Sequence, residues 1–368
     1  MNGFLAVLRK EAIQMMRDRG AMRFALMVPL FQLVLFGLID TNVHSVPTAV
    51  FDQSRTEESR ALVRDFTNTS YFAVKRDVSS RAALREEIVA ARASVGIEIP
   101  PDYARRRLLD EPTDVLVLID GSDSSISSQT LAAANGVALS RSMQQLLAQT
   151  HQTEIPVRLH PLLLFNPDSR SANLLIPGLV AILLSFSGTL LAAYAIVRER
   201  ERGTLEQLMV TPVSPVAVVL GKLIPYLVLA FLQLLLVLAL MTTVFRVPIH
   251  GSVPLVLAMA LVYLFALLSL GLLVSSRART QMEATQIAQM FLLPSIMLSG
   301  YIFPIPSLPK PLQYFSQILP ATHFIAISRG IIIRGAVFAD LWRNVAALLV
   351  IALLLVAAST RAFHKTIS

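Results

Sequence analysis

A chain of 368 residues that is 54% hydrophobic and only 15% charged, with a mean hydropathy of +0.62, does not have the composition of a soluble protein, so an integral membrane protein is expected. Cysteine is absent, which excludes disulfides and thiolate metal sites, and the six histidines, at 44, 151, 160, 250, 323 and 364, show no metal-ligand spacing, so no metal is expected. The formal charge of +8 does not indicate nucleic-acid binding: residues 41–170 carry 14 Lys/Arg and 16 Asp/Glu, and the surplus cations flank apolar runs, where they set membrane topology.

Residues 1–20 set Phe4, Leu5, Leu8, Ala12, Met15 and Met16 against Arg9, Lys10, Glu11, Gln14, Arg17 and Asp18. That pattern predicts an amphipathic helix on the cytoplasmic membrane surface. A first apolar segment, 21–39, follows, with Arg23 close enough to its start to snorkel. A basic start before an apolar core is also the form of a secretory signal peptide, but no A-x-A site follows, so an uncleaved anchor is expected.

From 40 to 173 the pattern becomes that of a soluble α/β domain. Runs rich in β-formers occur at 46–51, 71–78, 94–99, 115–119 and 155–165, and stretches with helical periodicity at 55–66, 80–92 and 125–152. Such alternation predicts a sheet covered by helices and leaves strand order open. The string DGSDSS at 120–125 offers Asp and Ser but no G-x-S-x-G elbow and no histidine partner. It reads as a polar loop that caps the following helix, and no catalytic residue is assigned.

Apolar runs at 174–197, 223–245, 253–274, 285–303 and 345–360 follow, each near the roughly 20 residues that cross a bilayer as a helix. With 21–39 they predict an α-helical integral membrane protein of six transmembrane helices, with the α/β domain inserted between helices 1 and 2. Placing the N-terminus inside puts 13 cationic residues on the cytoplasmic side and five (Arg246, Lys310, Arg329, Arg334 and Arg343) in short outer loops. The asymmetry predicts cytoplasmic termini and a periplasmic or extracellular 40–173. Prolines at 304, 306, 309, 311 and 320 forbid one continuous helix over 304–340, which predicts re-entrant segments. If 318–333 spanned instead, Arg361 and Lys365 would lie outside.

Between two of these runs stands RERERGTLEQLMVTPVSP, 198–215. Thr204 can cap a helix by accepting from the backbone of Gln207, whose side chain can reach back, and Leu205, Leu208 and Met209 then share one face. The string ERGTLEQLMVTPVSP resembles the first cytosolic loop of ABC transporter permeases of the type-2 exporter family. The stretch 292–335, LLPSIMLSGYIFPIPSLPKPLQYFSQILPATHFIAISRGIIIRG, is similar to the Pro-punctuated last block of that family, which ends in an RG dipeptide. The layout before the first match also fits the branch of the family with a large outer domain.

The resemblance implies a permease subunit of an ATP-driven exporter of hydrophobic, drug-like or lipid-like compounds in a bacterial inner membrane. It implies a separate cytosolic ATPase subunit, with Arg200, Arg202, Gly203, Thr204, Leu205, Glu206, Leu208 and Met209 coupling to it through a helix near 204–210, and the surface helix 4–17 as a second contact. A second permease copy or a related chain would complete the transporter, among membrane lipids and with a periplasmic adaptor as a further expected partner. The chain itself cannot supply a phosphate-cradling loop: its one Gly-Lys pair, Gly221-Lys222, has Val216 where the first glycine belongs and Leu223 where the hydroxyl belongs. ATP and Mg²⁺ are therefore expected in the partner and no cofactor here.

Gln233, Glu283, Gln286 and Gln289 are intramembrane polar residues, candidates either for a substrate path or for hydrogen bonds between packed helices. Two other classes compete. A membrane-anchored receptor or docking protein would act through the outer domain and would not need the capped segment after Arg202. A proton-driven transporter would want paired carboxylates or histidines at mid-membrane, whereas Glu283 sits near a membrane end.

Overall fold

A computed structural model describes residues 2–39, 45–109, 111–122, 124–150, 164–203 and 215–365. They divide into two compact units, Thr41–Leu162 and the combination of Met1–Asp40 with Leu163–Ser368.

The larger unit is helical. Alternating apolar and charged residues form α1 (Asn2–Arg17), and a break at Asp18 separates it from α2 (Arg19–Gly37). The long apolar runs form α7 (Ser171–Glu201), α8 (Pro215–Thr243), α9 (Val253–Arg277) and α13 (Phe338–Lys365). These contain the four described helices long and apolar enough to cross a bilayer, where only a helix satisfies its own backbone. The apolar part of α2, Ala25–Gly37, is shorter. α10 (Gln281–Leu298) starts at Thr280, whose hydroxyl accepts from the Glu283 N–H at 3.1 Å. It stops before Gly300, whose φ of +83° suits a residue without Cβ.

α7 is the centre of this unit and packs on α2, α8, α9, α10 and α12 (Pro320–Arg334). Tyr263 of α9 stacks on Phe324 of α12 at 4.4 Å between ring centres, donates to the Ala181 carbonyl of α7 at 3.0 Å, and bonds Ser185. Where α7 meets α9, a Cβ on Gly271 would fall against the Thr189 carbonyl and 2.7 Å from the Ala192 side chain, so the two helices touch backbone to backbone. Ser328 of α12 donates to the Pro177 carbonyl in α7 at 3.1 Å, and Arg329 donates to the carbonyls of Gly300 and Tyr301.

The proline-rich stretch after α10 forms a 3-10 turn (Ile305–Ser307), α11 (Lys310–Ser316) and α12, with a 79° bend between the last two. Pro320 opens α12 in the position where its missing N–H costs nothing, and Gly335, at φ +66°, closes it. At 1.5 Å per residue α12 is about 22 Å long, short of a hydrocarbon core of about 30 Å. Its Ile332 carbonyl accepts from the His250 N–H at 3.0 Å, which ties its end to the connection between α8 and α9.

The smaller unit holds a four-stranded sheet of order β2-β1-β3-β4, formed by β1 (Val46–Asp52), β2 (Phe72–Asp77), β3 (Val95–Ile99) and β4 (Leu116–Ile119). β1 pairs with β2 and β3 in parallel, which requires crossovers, and α3 (Glu57–Asn68) and α4 (Arg81–Val89) provide them; β4 joins β3 antiparallel. α5 (Tyr103–Leu108), for which the sequence shows no signal, and α6 (Ser124–Thr150) complete the unit. Every residue of β3 is buried, including Glu98, which is satisfied by Arg81 at 2.6 and 3.0 Å and by Gln53 at 2.9 Å. In the loop before α6 the Asp120 carboxylate accepts from the Ser122 N–H at 3.0 Å, which holds it below the usual carboxylate range. The expected β run at 155–165 lies outside the described residues apart from 164 and 165, where there is no strand.

Candidate functional site

The last turn of α7 reads Arg198-Glu199-Arg200-Glu201, and each of these four side chains bonds a different part of the chain. Successive residues of an α-helix point about 100° apart, so four in a row face all the way round. Arg198 donates to Asp18, between α1 and α2, at 2.8 Å. Glu199 accepts from Lys10 of α1 at 2.6 Å and lies 2.5 Å from Lys222 of α8. Arg200 donates to the Ser275 carbonyl of α9 at 3.1 Å and to the Ala278 carbonyl just beyond it. Glu201 accepts from the backbone and side chain of Gln281, the first residue of α10, at 2.7 and 2.6 Å. The end of α7 is therefore a hub that holds α1, α8, α9 and α10.

Lys222 is the deepest charge in it, with 1% of its side chain exposed, and Glu11 and Glu199 beside it are exposed by 2% and 3%. Glu11 approaches Lys222 at 3.6 Å and accepts from the Tyr226 hydroxyl, one turn along α8, at 3.1 Å. Gly221 permits this, because a Cβ there would stand 3.0 Å from Val7 and 3.4 Å from the Leu8 backbone nitrogen of α1. The Gly221-Lys222 pair, which fails as a phosphate loop, is thus a seat for α1 and a counterion for two buried carboxylates.

Immediately after the hub, Gly203 takes a φ of +65° and its N–H returns to the Arg200 carbonyl at 3.1 Å, a left-handed glycine end to the helix. Of the expected coupling residues, Arg200 belongs to the hub, while Arg202 and Gly203 are exposed at its rim. Thr204, Leu205, Glu206, Leu208 and Met209 lie outside the described residues. Both ends of the interval that contains them are fixed, by Arg198 to Glu201 on one side and by Lys222 on the other.

The four polar residues expected within the membrane are not brought together. Gln233 is fully buried in α8, and neither atom of its amide has a hydrogen-bond partner among the described residues. Glu283 caps α10, accepting from the Arg279 N–H at 2.8 Å. Gln286 and Gln289 are exposed on the side of α10 away from Ala284, Ala288 and Leu292, which pack against Ala193 and Val197 of α7. The hub itself carried a sequence signal, an R-E-R-E run directly after an uncharged span, whose charges read on their own as solvated flanks of the loop.

Residues 21–361, nearly the whole chain, match the ABC-2 family transporter protein family. The chain belongs to that family. It is 28% identical over 350 residues to "Probable multidrug ABC transporter permease YbhR" of Escherichia coli K12, covering 94% of each chain. It is 29% identical over 330 residues to "Probable multidrug ABC transporter permease YbhS" of the same organism, covering 89% of this chain and 87% of that one. Its identity to "Inner membrane transport permease YhhJ" of Escherichia coli K12 is 28% over 333 residues, with the same coverage. This ABC-2 protein is accordingly a membrane permease subunit of an ABC transporter. The family match begins at residue 21, so Lys10, Glu11 and Asp18, which complete the hub, come from a segment before it.

Proposed function

We propose that this ABC-2 permease exports a hydrophobic, drug-like or lipid-like compound from the cytoplasm, driven by ATP hydrolysis in a separate nucleotide-binding subunit that grips residues 204–210. The hub carries this reading. A pull on the segment after Gly203 reaches α1, α8, α9 and α10 at once through side chains bonded at 2.5–3.1 Å, so one contact with a closing ATPase can tilt several helices together. Leu205, Leu208 and Met209 would form the apolar ridge that the ATPase holds, and α1 would give it a second contact.

In this reading the protein lies in a bacterial inner membrane with both termini cytoplasmic, α2 and α10 act as the first and fifth of six spans, and residues 40–173 are periplasmic. At 19 and 18 residues, α2 and α10 are about 28 Å long, close to the hydrocarbon thickness. α11 and α12 would dip into the membrane from the outer side and return, which agrees with the tie between Ile332 and the α8–α9 connection. The exposed face of α10, with Met282, Met290, Phe291 and Leu293, suits a second permease copy or a related chain, with the substrate path between them. The YbhR and YbhS relatives are named as probable multidrug ABC transporter permeases, which makes drug-like compounds the favoured substrate class, and a periplasmic adaptor is a further partner proposed.

The double variant Leu205→Asp/Leu208→Asp is expected to insert normally, to export nothing above background, and to lose the ATPase on purification, since two charges enter an apolar contact. Retention of the ATPase at the unsubstituted level would refute the coupling role. Topology is tested separately by impermeant thiol labelling of intact cells, from which a cysteine at Ser122 should be modified and one at Thr204 should not. The reverse labelling would invert the orientation.

A further inference from the structure

Two adjoining cavities in the larger unit share Asp18, Arg198 and Arg202. The first, of about 460 Å³, is a slot whose walls include Ala25, Val28 and Pro29 of α2, Phe186 and Leu190 of α7, and Leu229 of α8. Its volume is in the range of small-molecule sites, and away from the charged end of α7 its lining is mainly apolar, with Gln32, Ser187, Tyr194 and Tyr226 as the polar exceptions. From Ser187 to Arg202, both of which line it, the slot follows α7 for about 22 Å. That exceeds half the thickness of a hydrocarbon core, about 15 Å, so the slot runs from the interface to the level of the midplane.

The second cavity, of about 780 Å³, is a basin between α1 and the end of α7 that presents Lys10, Arg17, Arg198 and Arg202 against one carboxylate, Asp18. Two of these cations are engaged, Lys10 with Glu199 and Arg198 with Asp18. Arg17 and Arg202 are exposed, and among the described residues neither has a carboxylate within ion-pair distance. A surplus of guanidinium charge therefore stands where the apolar slot ends.

We infer that slot and basin together bind one anionic amphiphile of the cytoplasmic leaflet, its apolar chain in the slot and its phosphate in the basin against Arg17 and Arg202. Guanidinium groups match phosphate oxygens in a bidentate way, and cations beside a membrane helix attract anionic lipid. A neutral solute would leave the arginines without a partner, and free phosphate would leave the apolar walls unused. Because Arg198 and Arg202 end α7, a bound headgroup would stiffen the hub just before the segment that follows Gly203. The inference rests on the cytoplasmic placement of this end and on neither the exported compound nor the ATPase.

The test uses the full chain in neutral detergent with phosphatidylglycerol, phosphatidylcholine or inorganic phosphate added, and reads bound lipid by native mass spectrometry. Phosphatidylglycerol should be retained at least about tenfold more than phosphatidylcholine. The variant Arg17→Gln/Arg202→Gln, which changes two exposed side chains, should lower that retention about thirtyfold, about fivefold for each arginine, and leave phosphatidylcholine unaffected. Leu190→Trp, which fills the slot, should reduce binding of both lipids. Equal retention of the two lipids, or unchanged phosphatidylglycerol binding in the double arginine variant, would overturn the inference. Displacement of phosphatidylglycerol by millimolar inorganic phosphate would overturn it too, by showing a site for the anion alone.

Discussion

Lys222→Leu should destabilise the permease by about 3–5 kcal/mol and release α1 from α8, because it leaves Glu11 and Glu199 buried with only Lys10 to answer them. The loss is large because the remaining carboxylates are almost shielded from water, not because the intact pair is itself strongly stabilising. Removing all three charges, as Glu11→Gln/Glu199→Gln/Lys222→Met, should recover most of the stability, since an isosteric uncharged set has no ion to solvate. Thermal unfolding in detergent measures both changes, and protease cleavage within residues 1–20 reports the release of α1. A Lys222→Leu protein within about 1 kcal/mol of the original would show that water reaches this cluster and that the hub is looser than its distances indicate.

Gly271→Leu is the second substitution with a large expected effect. Any side chain there meets the Thr189 carbonyl and comes within 2.7 Å of Ala192 and 3.1 Å of the Ala193 nitrogen, all on α7. Backbone cannot rotate aside as a flexible side chain does, and α7 is held by other helices along its length, so α9 would have to move away. Overpacking of this kind costs about 3 kcal/mol, and a fall in melting temperature on the order of 10 °C should result. Gly188→Ala is the matched control: its new Cβ would stand 3.4 Å from Leu267, an ordinary contact, and should change stability by less than about 1 kcal/mol. Equal effects of the two would mean that α7 and α9 do not meet as closely as described.

Different parts of the structure were legible to different degrees. Long uncharged runs announced α7, α8, α9 and α13 because transfer of a segment into lipid depends on its own composition. The apolar run 285–303 marks α10 only approximately, since the helix occupies Gln281–Leu298; its start is encoded in Thr280 and Glu283, a threonine followed three residues later by a glutamate. Strands β1 to β4 were legible as runs of β-formers, while their order was not, since nothing local distinguishes a central parallel strand such as β1 from an antiparallel edge such as β4. α5 leaves no sequence signal because six residues, YARRRL, are too few to show a period. Position along a helix singles out the four polar candidates, and position alone does not tell that Glu283 caps, that Gln286 and Gln289 face outward, or that Gln233 is fully buried.

The amino-acid order by itself determined that this chain enters a membrane, which long apolar runs are helical, where cations gather at their ends, and which transporter family it resembles. All of these follow from free energies of short segments and from strings read in place. Only the tertiary structure decided that Lys10 meets Glu199 across 189 residues, that Lys222 is a buried counterion, and that the end of α7 binds its neighbours in four directions. Those are pairings between distant residues whose charges look alike in sequence, and they are selected by the packing of whole helices, which no local pattern encodes.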